Sequence, residues 1–248
     1  MTKNSIIGID FGGSGIKGAP VDIEKGELLE ERIRIETPEK STPMEVTKVL
    51  IQILEHFKWK GPVGLAFPAL VQRGVVNSAA NIDSSWIGLN AEEYLKDKLK
   101  QDIFIVNDAD AAGVAEIEFG EGKDFKGAIL MLTIGTGIGT ALFHNGNLFP
   151  NTEIGHIIFN GMDAELIVSD AARKKNGLKW KHWAPGFNDY LRYLERLFNP
   201  DMIIIGGGAS KKEEKFMKHI TIKTPIKMAK LQNEAGIIGA AMYAKRNL

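Results

Sequence analysis

The strongest constraint on this chain is a repeat inside it. Gly13-Ser14-Gly15-Ile16 recurs as Gly135-Thr136-Gly137-Ile138, with Ala19 answered by Ala141, and each copy lies between two short apolar runs of strand character. Two such strand, glycine-turn, strand units predict an internally duplicated α/β protein with two domains around a cleft. The length of 248 residues accommodates that plan.

The remaining pattern fills in the halves. Residues 5–10, 15–21 and 28–35 read as an antiparallel meander. Apolar residues at helical spacing (Val46, Val49, Leu50, Ile53, Leu54, Phe57) predict a helix over 43–57, followed by a strand at 62–67, a helix at 92–100, a strand at 103–106 and an Ala-rich helix at 108–119. The pattern then restarts with strands at 127–132 and 140–144. Helices follow at 164–175 and 181–198, with Pro185-Gly186 expected to interrupt the latter. A strand at 202–205 and a closing helix at 233–246 complete the chain. The duplication places the boundary so that 1–106 with 235–248 form a smaller N-terminal domain and 107–234 a larger C-terminal one.

Composition narrows the function classes. Lys plus Arg equals Asp plus Glu at 31 each, so no global field draws the chain to nucleic acid or a membrane, and any anion site must be local. There is no cysteine, hence no disulfide, thiolate zinc site or cysteine nucleophile, which fits a cytoplasmic protein. The opening MTKNSIIGID is broken too early by Asp10 to read as a signal peptide, and no run approaches the roughly 20 apolar residues of a membrane span.

Asp10 precedes Gly12, Gly13 and Gly15, and Thr133 precedes Gly135, Gly137 and Gly139. Turns of this kind bring backbone N–H groups up to phosphate oxygens, and Ser14 and Thr136 each add a hydroxyl. A single such turn is as readily a plain hairpin. Neither copy fits the P-loop or the dinucleotide fingerprint. A third cluster, Gly206-Gly207-Gly208-Ala209-Ser210, stands at a strand-to-helix passage, with Gly207 and Gly208 as candidate donor contacts. Lys17 is a candidate cation beside the first turn. Asp10 is a candidate Mg²⁺ ligand through water.

Asn107-Asp108 ends an apolar strand, at the rim where α/β proteins bind ligands. Transfer to a hydroxyl needs a base, and Asp108 is the candidate; a helix cap is the competing reading, and Asp110 a competing residue. Asn81, Asn107, Glu153, His156 and Glu165 supply amide, imidazole and carboxylate groups suited to sugar hydroxyls. No histidine spacing supports zinc.

Taken in order, DFGGSGIKG, NDADAA, LTIGTGIG, NTEIGH and IIIGGGAS resemble the ROK family of sugar kinases in the actin-like ATPase superfamily. The resemblance spans essentially the whole chain. It implies the duplicated actin-like ATPase (ribonuclease H-like) fold, Asp108 as catalytic base, glucose contacts from Asn107, Glu153, His156 and Glu165, Mg²⁺ dependence and a homodimer. The segments FGGSGIKGAPVD, SAANIDSSWIGLN, FPNTEIGH and WKHWAPGFNDYLRYLERLFNPDMIIIGGGASKK are similar to the family's polyphosphate glucokinases. That similarity implies phosphoryl transfer from polyphosphate, with ATP as a further donor, to the 6-hydroxyl of glucose. A polyanionic donor asks for a cationic track, with Lys17, Lys211, Lys212, Lys223, Lys227 and Lys230 as candidates, each also readable as a solvated surface lysine. One departure stands out: many relatives carry a cysteine-rich zinc motif after EIGH, and here IIFNGMDAELIVSDAARKKNG replaces it. The rival readings are a strictly ATP-dependent hexose kinase and a non-catalytic sugar sensor. The sensor is disfavoured because family repressors carry an added N-terminal DNA-binding segment, whereas here the glycine motif begins within about the first dozen residues.

Overall fold

In the computed structural model, which describes residues 4–248, the repeat emerges as two sheets of equivalent strand order. β1 (Ser5–Gly12) and β2 (Gly15–Asp22) form an antiparallel hairpin whose register pairs Asp10 with Lys17 and Gly12 with Gly15. β3 (Glu27–Leu28) and β4 (Ile33–Ile35) both pair with β2, so the strand expected over 28–35 is two short pieces. The intervening Glu30-Glu31 is solvated and has no apolar alternation to hold it in the ladder. α1 (Pro43–His56) is capped by Thr42, whose hydroxyl accepts from the Glu45 N–H, and Pro43 fills its first turn. β5 (Val63–Phe67) runs parallel to β1, then come the small hairpin β6 (Val71–Gln72) and β7 (Val75–Val76), α2 (Ala91–Leu99), β8 (Ile103–Asn107) parallel to β5, and α3 (Asp108–Phe119). The order is β3-β2-β1-β5-β8.

The second sheet repeats this plan. β9 (Ala128–Ile134) pairs antiparallel with β10 (Ile138–His144), and β10 with β11 (Asn147–Phe149). A two-stranded hairpin, β12 (Ile158–Phe159) and β13 (Met162–Asp163), leads to α4 (Glu165–Val168), α5 (Asp170–Lys175) and α6 (Trp180–Phe198). β14 (Met202–Gly206) lies parallel to β9, passes into the single turn α7 (Gly207–Ser210), and is flanked by β15 (Ile226–Met228), giving β11-β10-β9-β14-β15. Two expectations are corrected here. The helix predicted over 164–175 is broken at Ser169, which is extended and whose hydroxyl accepts from the Ala172 N–H to start α5. Pro185 does not interrupt α6, because Trp183, Ala184, Phe187, Tyr190, Leu191 and Leu194 bury one continuous face and outweigh the lost backbone bond.

α8 (Ala235–Asn247) closes the chain and packs on β1, β5 and α3. The approach is backbone to backbone: a Cβ on Gly8 would lie 1.9 Å from the Ile237 oxygen, on Gly64 2.0 Å from the Ala240 oxygen, and on Gly239 1.7 Å from the Ala111 oxygen. Because α3 shares this seam, the first compact unit is Met1–Phe119 with Asn233–Leu248 and the second is Gly120–Gln232. The compact units thus divide at the far end of α3, where 106/107 was expected, and the C-terminal segment rejoins the first unit at Asn233, where 235 was expected. Among the described residues no helix is long and apolar enough to cross a membrane.

Helix propensity alone would favour Gly239→Ala by about 1 kcal/mol. The clash at Ala111, worth up to about 3 kcal/mol, reverses the sign, so urea unfolding should show a net loss of up to about 2 kcal/mol. Gly13→Ala, where a Cβ meets nothing within 4 Å, should stay within about 0.5 kcal/mol of the parent.

Candidate active site

Within the first unit, β1, β5 and β8 are parallel, so their C-terminal ends share one edge. The register sets Asp10, Ala66 and Val106 in one row, with the first glycine turn and Asp108 just beyond it. Lys17 lies opposite Asp10 and donates to its carboxylate at 3.2 Å. The first turn of α8 lies over the same group, since a Cβ on Gly236 would come within 2.9 Å of the Asp10 carboxyl carbon. Asp10 is a half-buried hard oxygen donor, which fits Mg²⁺ held through water, with Lys17 as its present counter-charge.

None of Gly12, Gly13, Gly15, Gly135 and Gly137 has a positive φ. Their contribution is space instead: added Cβ atoms on Gly13 and Gly135 would meet nothing within 4 Å, leaving bare backbone open to a ligand. Ser14 is exposed at the tip. Arg34, the ladder partner of Lys17, donates from Nη2 to the Ser14 carbonyl at 2.5 Å, and its guanidinium fills the place a Gly15 side chain would take. Thr37 Oγ1 donates to the Gly12 carbonyl at 2.6 Å. Neither Arg34 nor Thr37 is singled out by the sequence, because the short β4 betrays no register.

Asn107 and Asp108 divide the two roles weighed for Asp108. The Asn107 carboxamide oxygen accepts from the N–H groups of Ala109 at 2.9 Å and Asp110 at 3.2 Å, capping α3, while its Nδ2 donates to the Ala69 carbonyl at 3.2 Å. Asp108 Oδ1 accepts from the Ala109 N–H at 2.8 Å, and the residue is exposed. The cap is thus mainly Asn107, and Asp108 is an exposed residue at the start of α3. Asp110 is buried, which sets it apart from an acceptor hydroxyl. Asn81 is exposed on a loop anchored by buried Trp86, whose indole N–H donates to the Ser41 carbonyl at 2.8 Å.

In the second unit the edge formed by β9 and β14 pairs Thr133 with Gly206 and bridges Ile134 to Gly207. The second glycine turn and the Gly206–Gly208 cluster are therefore neighbours. Gly207 has φ 71° and a Cβ there would strike the Ile134 oxygen at 2.6 Å, so this glycine is required. Thr136 is exposed at the turn tip. Glu165, expected as a sugar ligand, reaches this turn: its Oε2 accepts from the Ile138 N–H at 3.3 Å and would meet a Gly137 Cβ at 2.4 Å.

Around His156 the structure assembles more than the sequence predicts. His156 Nδ1 is 2.9 Å from Asp163 Oδ2, and Nε2 is 3.7 Å from Glu153 Oε2. The hydrogen bond to Asp163 is the largest influence and raises the His156 pKa; burial, next in size, opposes it, and the charges of Glu165, Asp163 and Glu153 add to the rise. Burial raises that of Glu153, and Glu165 adds to it, while His156 opposes the shift. His156, Asp163 and Glu165 each offer one potential metal-ligand atom, all within 4.8 Å of one another.

The lysines separate. Lys211, Lys212 and Lys230 are exposed beyond the ends of β14 and β15 that adjoin Gly206, whereas Lys223 precedes β15 at the opposite end, where its N–H donates to Glu195, and Lys227 lies midway along the strand. Lys17 belongs to the first unit.

Comparison with known proteins agrees with this architecture. The ROK family model matches residues 6–176. The chain is 45% identical over 242 residues to a polyphosphate glucokinase of Mycobacterium tuberculosis, covering 97% of this chain and 91% of that protein. The crystal structure of an inorganic polyphosphate/ATP-glucomannokinase from Arthrobacter sp. strain KM superposes with a TM-score of 0.93 at 41% identity, covering 99% of this chain and 100% of the other. A ROK family glucokinase from Streptomyces griseus, solved with glucose and AMPPNP, shares the fold with a TM-score of 0.81 at 23% identity, covering 98% and 99%.

The raised His156 pKa has a definite sign for stability. Its contribution is fully present below the unfolded value near 6.5 and is lost as pH rises through the higher folded value. The melting temperature of the parent should exceed that of His156→Gln most at about pH 6, and the gap should narrow as pH rises. A gap that grew with pH would reverse the assignment.

Proposed function

The chain belongs to the ROK family and has its duplicated actin-like ATPase fold; on that premise we infer that it is a glucokinase transferring a phosphoryl group from inorganic polyphosphate to the 6-hydroxyl of glucose, giving glucose 6-phosphate. The observation that carries this reading is 45% identity, over 97% of this chain, to a polyphosphate glucokinase. The open backbone of the two glycine turns and the exposure of Asp108 agree with it.

In this reading Asp108 accepts the proton of the 6-hydroxyl as the oxygen attacks the terminal phosphorus. The new O–P bond forms as the phosphoanhydride bond breaks, and the donor leaves one phosphate shorter. Asn107 keeps Asp108 from being consumed as a cap. Asn81, Asn107, Glu153, His156 and Glu165 hold sugar hydroxyls. The N–H groups of both turns, Ser14, Thr136, Gly207 and Gly208 orient donor oxygens, with Lys17 and Arg34 supplying positive charge at the first turn. Mg²⁺, held through water by Asp10, would offset charge on the donor. A homodimer and a cytosolic setting complete the proposal, and sedimentation velocity tests the former.

ATP as a second donor is favoured by one observation: the Arthrobacter relative is described as using polyphosphate and ATP. A glucose 6-phosphate assay run with nucleotide-free polyphosphate and, separately, with ATP decides the donor. Product from polyphosphate is expected; its absence rejects the polyphosphate reading, and no product from either donor favours a sensor. Asp108→Asn should lower kcat by roughly 10²–10⁴-fold while leaving the melting temperature nearly unchanged. Arg34→Gln should raise the polyphosphate KM and flatten its dependence on salt, with little change in the glucose KM.

A further inference from the structure

Asp163 lies outside the residues assigned above to donor or sugar, yet it connects two of the sugar residues, His156 and Glu165. The tight β12–β13 hairpin, in which Ile158 pairs with Asp163, folds this carboxylate back onto His156. Oδ2 is 2.9 Å from His156 Nδ1, and Oδ1 accepts from the Glu165 N–H at 3.3 Å. Glu165 in turn accepts from the Ile138 N–H beside the second glycine turn. One side chain thus faces the imidazole with one oxygen and the opening turn of α4 with the other.

The chain has no thiolate to fix the imidazole through a metal. A carboxylate accepting from Nδ1–H fixes ring orientation and tautomer in the same way and leaves Nε2 directed toward Glu153. We propose that Asp163 is a positioning residue for glucose: it orients His156 and the start of α4 together, so that His156, Glu153 and Glu165 meet the sugar as one preset array. This rests on the proposed glucokinase activity for its ligand, but not for its geometry.

Three arms test it on the full-length protein. Long-range ¹⁵N–¹H spectra of the imidazoles, assigned with His156→Gln, should show Nδ1 of His156 protonated in the parent above its pKa. The opposite tautomer overturns the proposal without reference to activity. In Asp163→Asn, the glucose Kd by calorimetry and the glucose KM should rise about tenfold or more, with the polyphosphate KM within about twofold and part of the loss recovered in Asp163→Glu. Equal rises in both KM values, or none, reject a role specific to the sugar. Metal analysis forms the third arm: a stoichiometric ion in the parent that is lost in Asp163→Asn would make these residues a metal centre and overturn the carboxylate role. If the parent binds no glucose, the proposed function fails, while the tautomer still decides whether Asp163 orients the ring.

Discussion

The glycine seam under α8 is the contact on which the first unit depends. Gly8 and Gly64 open the face of β1 and β5, and Gly239 lets α3 approach from the other side, so the last helix of the chain is fixed against its first strand. Close backbone approach of this kind leaves no room for adjustment, because a single methyl would overlap a carbonyl oxygen. The same seam carries the first turn of α8 over Asp10. Packing at the core thereby sets the surroundings of a carboxylate at the sheet edge.

The duplicated turns show how one backbone plan takes different electrostatic settings. In both, the first strand of an antiparallel hairpin has one parallel neighbour on its other side, and the glycine where the returning strand begins has its side-chain space taken by a charged group. At Gly15 that group is the Arg34 guanidinium; at Gly137 it is the Glu165 carboxylate. The first turn has Lys17 and Arg34 beside it and is suited to a polyanion. The second is tied through Glu165 to the His156 cluster, which suits hydroxyl recognition at its flank. The repeat supplies the backbone, and residues outside it supply the difference.

This division explains what could be read from the sequence. The duplication, the strand ending at Asn107 and the placement of Asp108 were legible because glycine spacing and apolar runs are local signals. The capping role was read in the sequence only as an alternative for Asp108, and the structure gives it mainly to Asn107. Arg34 and Asp163 were not legible, since each acts through pairing: Arg34 through a three-residue strand and Asp163 through a hairpin with two-residue strands. Elements that short carry no periodicity. Pro185 misled for the opposite reason, as a strong local signal was overruled by burial along the whole of α6.

The segment after EIGH returns a carboxylate to the imidazole through a short hairpin. An imidazole that must present one nitrogen to a ligand needs its other nitrogen held, and a metal or a carboxylate meets that need by different means. A metal demands several converging ligands and the thiolates or imidazoles to supply them. A carboxylate needs only a short hairpin that returns it to the ring, which is what Asn160-Gly161 provides: both residues have positive φ, 50° and 81°, and turn β12 into β13. This stretch has no cysteine, and the turn geometry alone brings Asp163 to His156. The carboxylate also leaves its second oxygen for the Glu165 N–H, which connects the ring to α4.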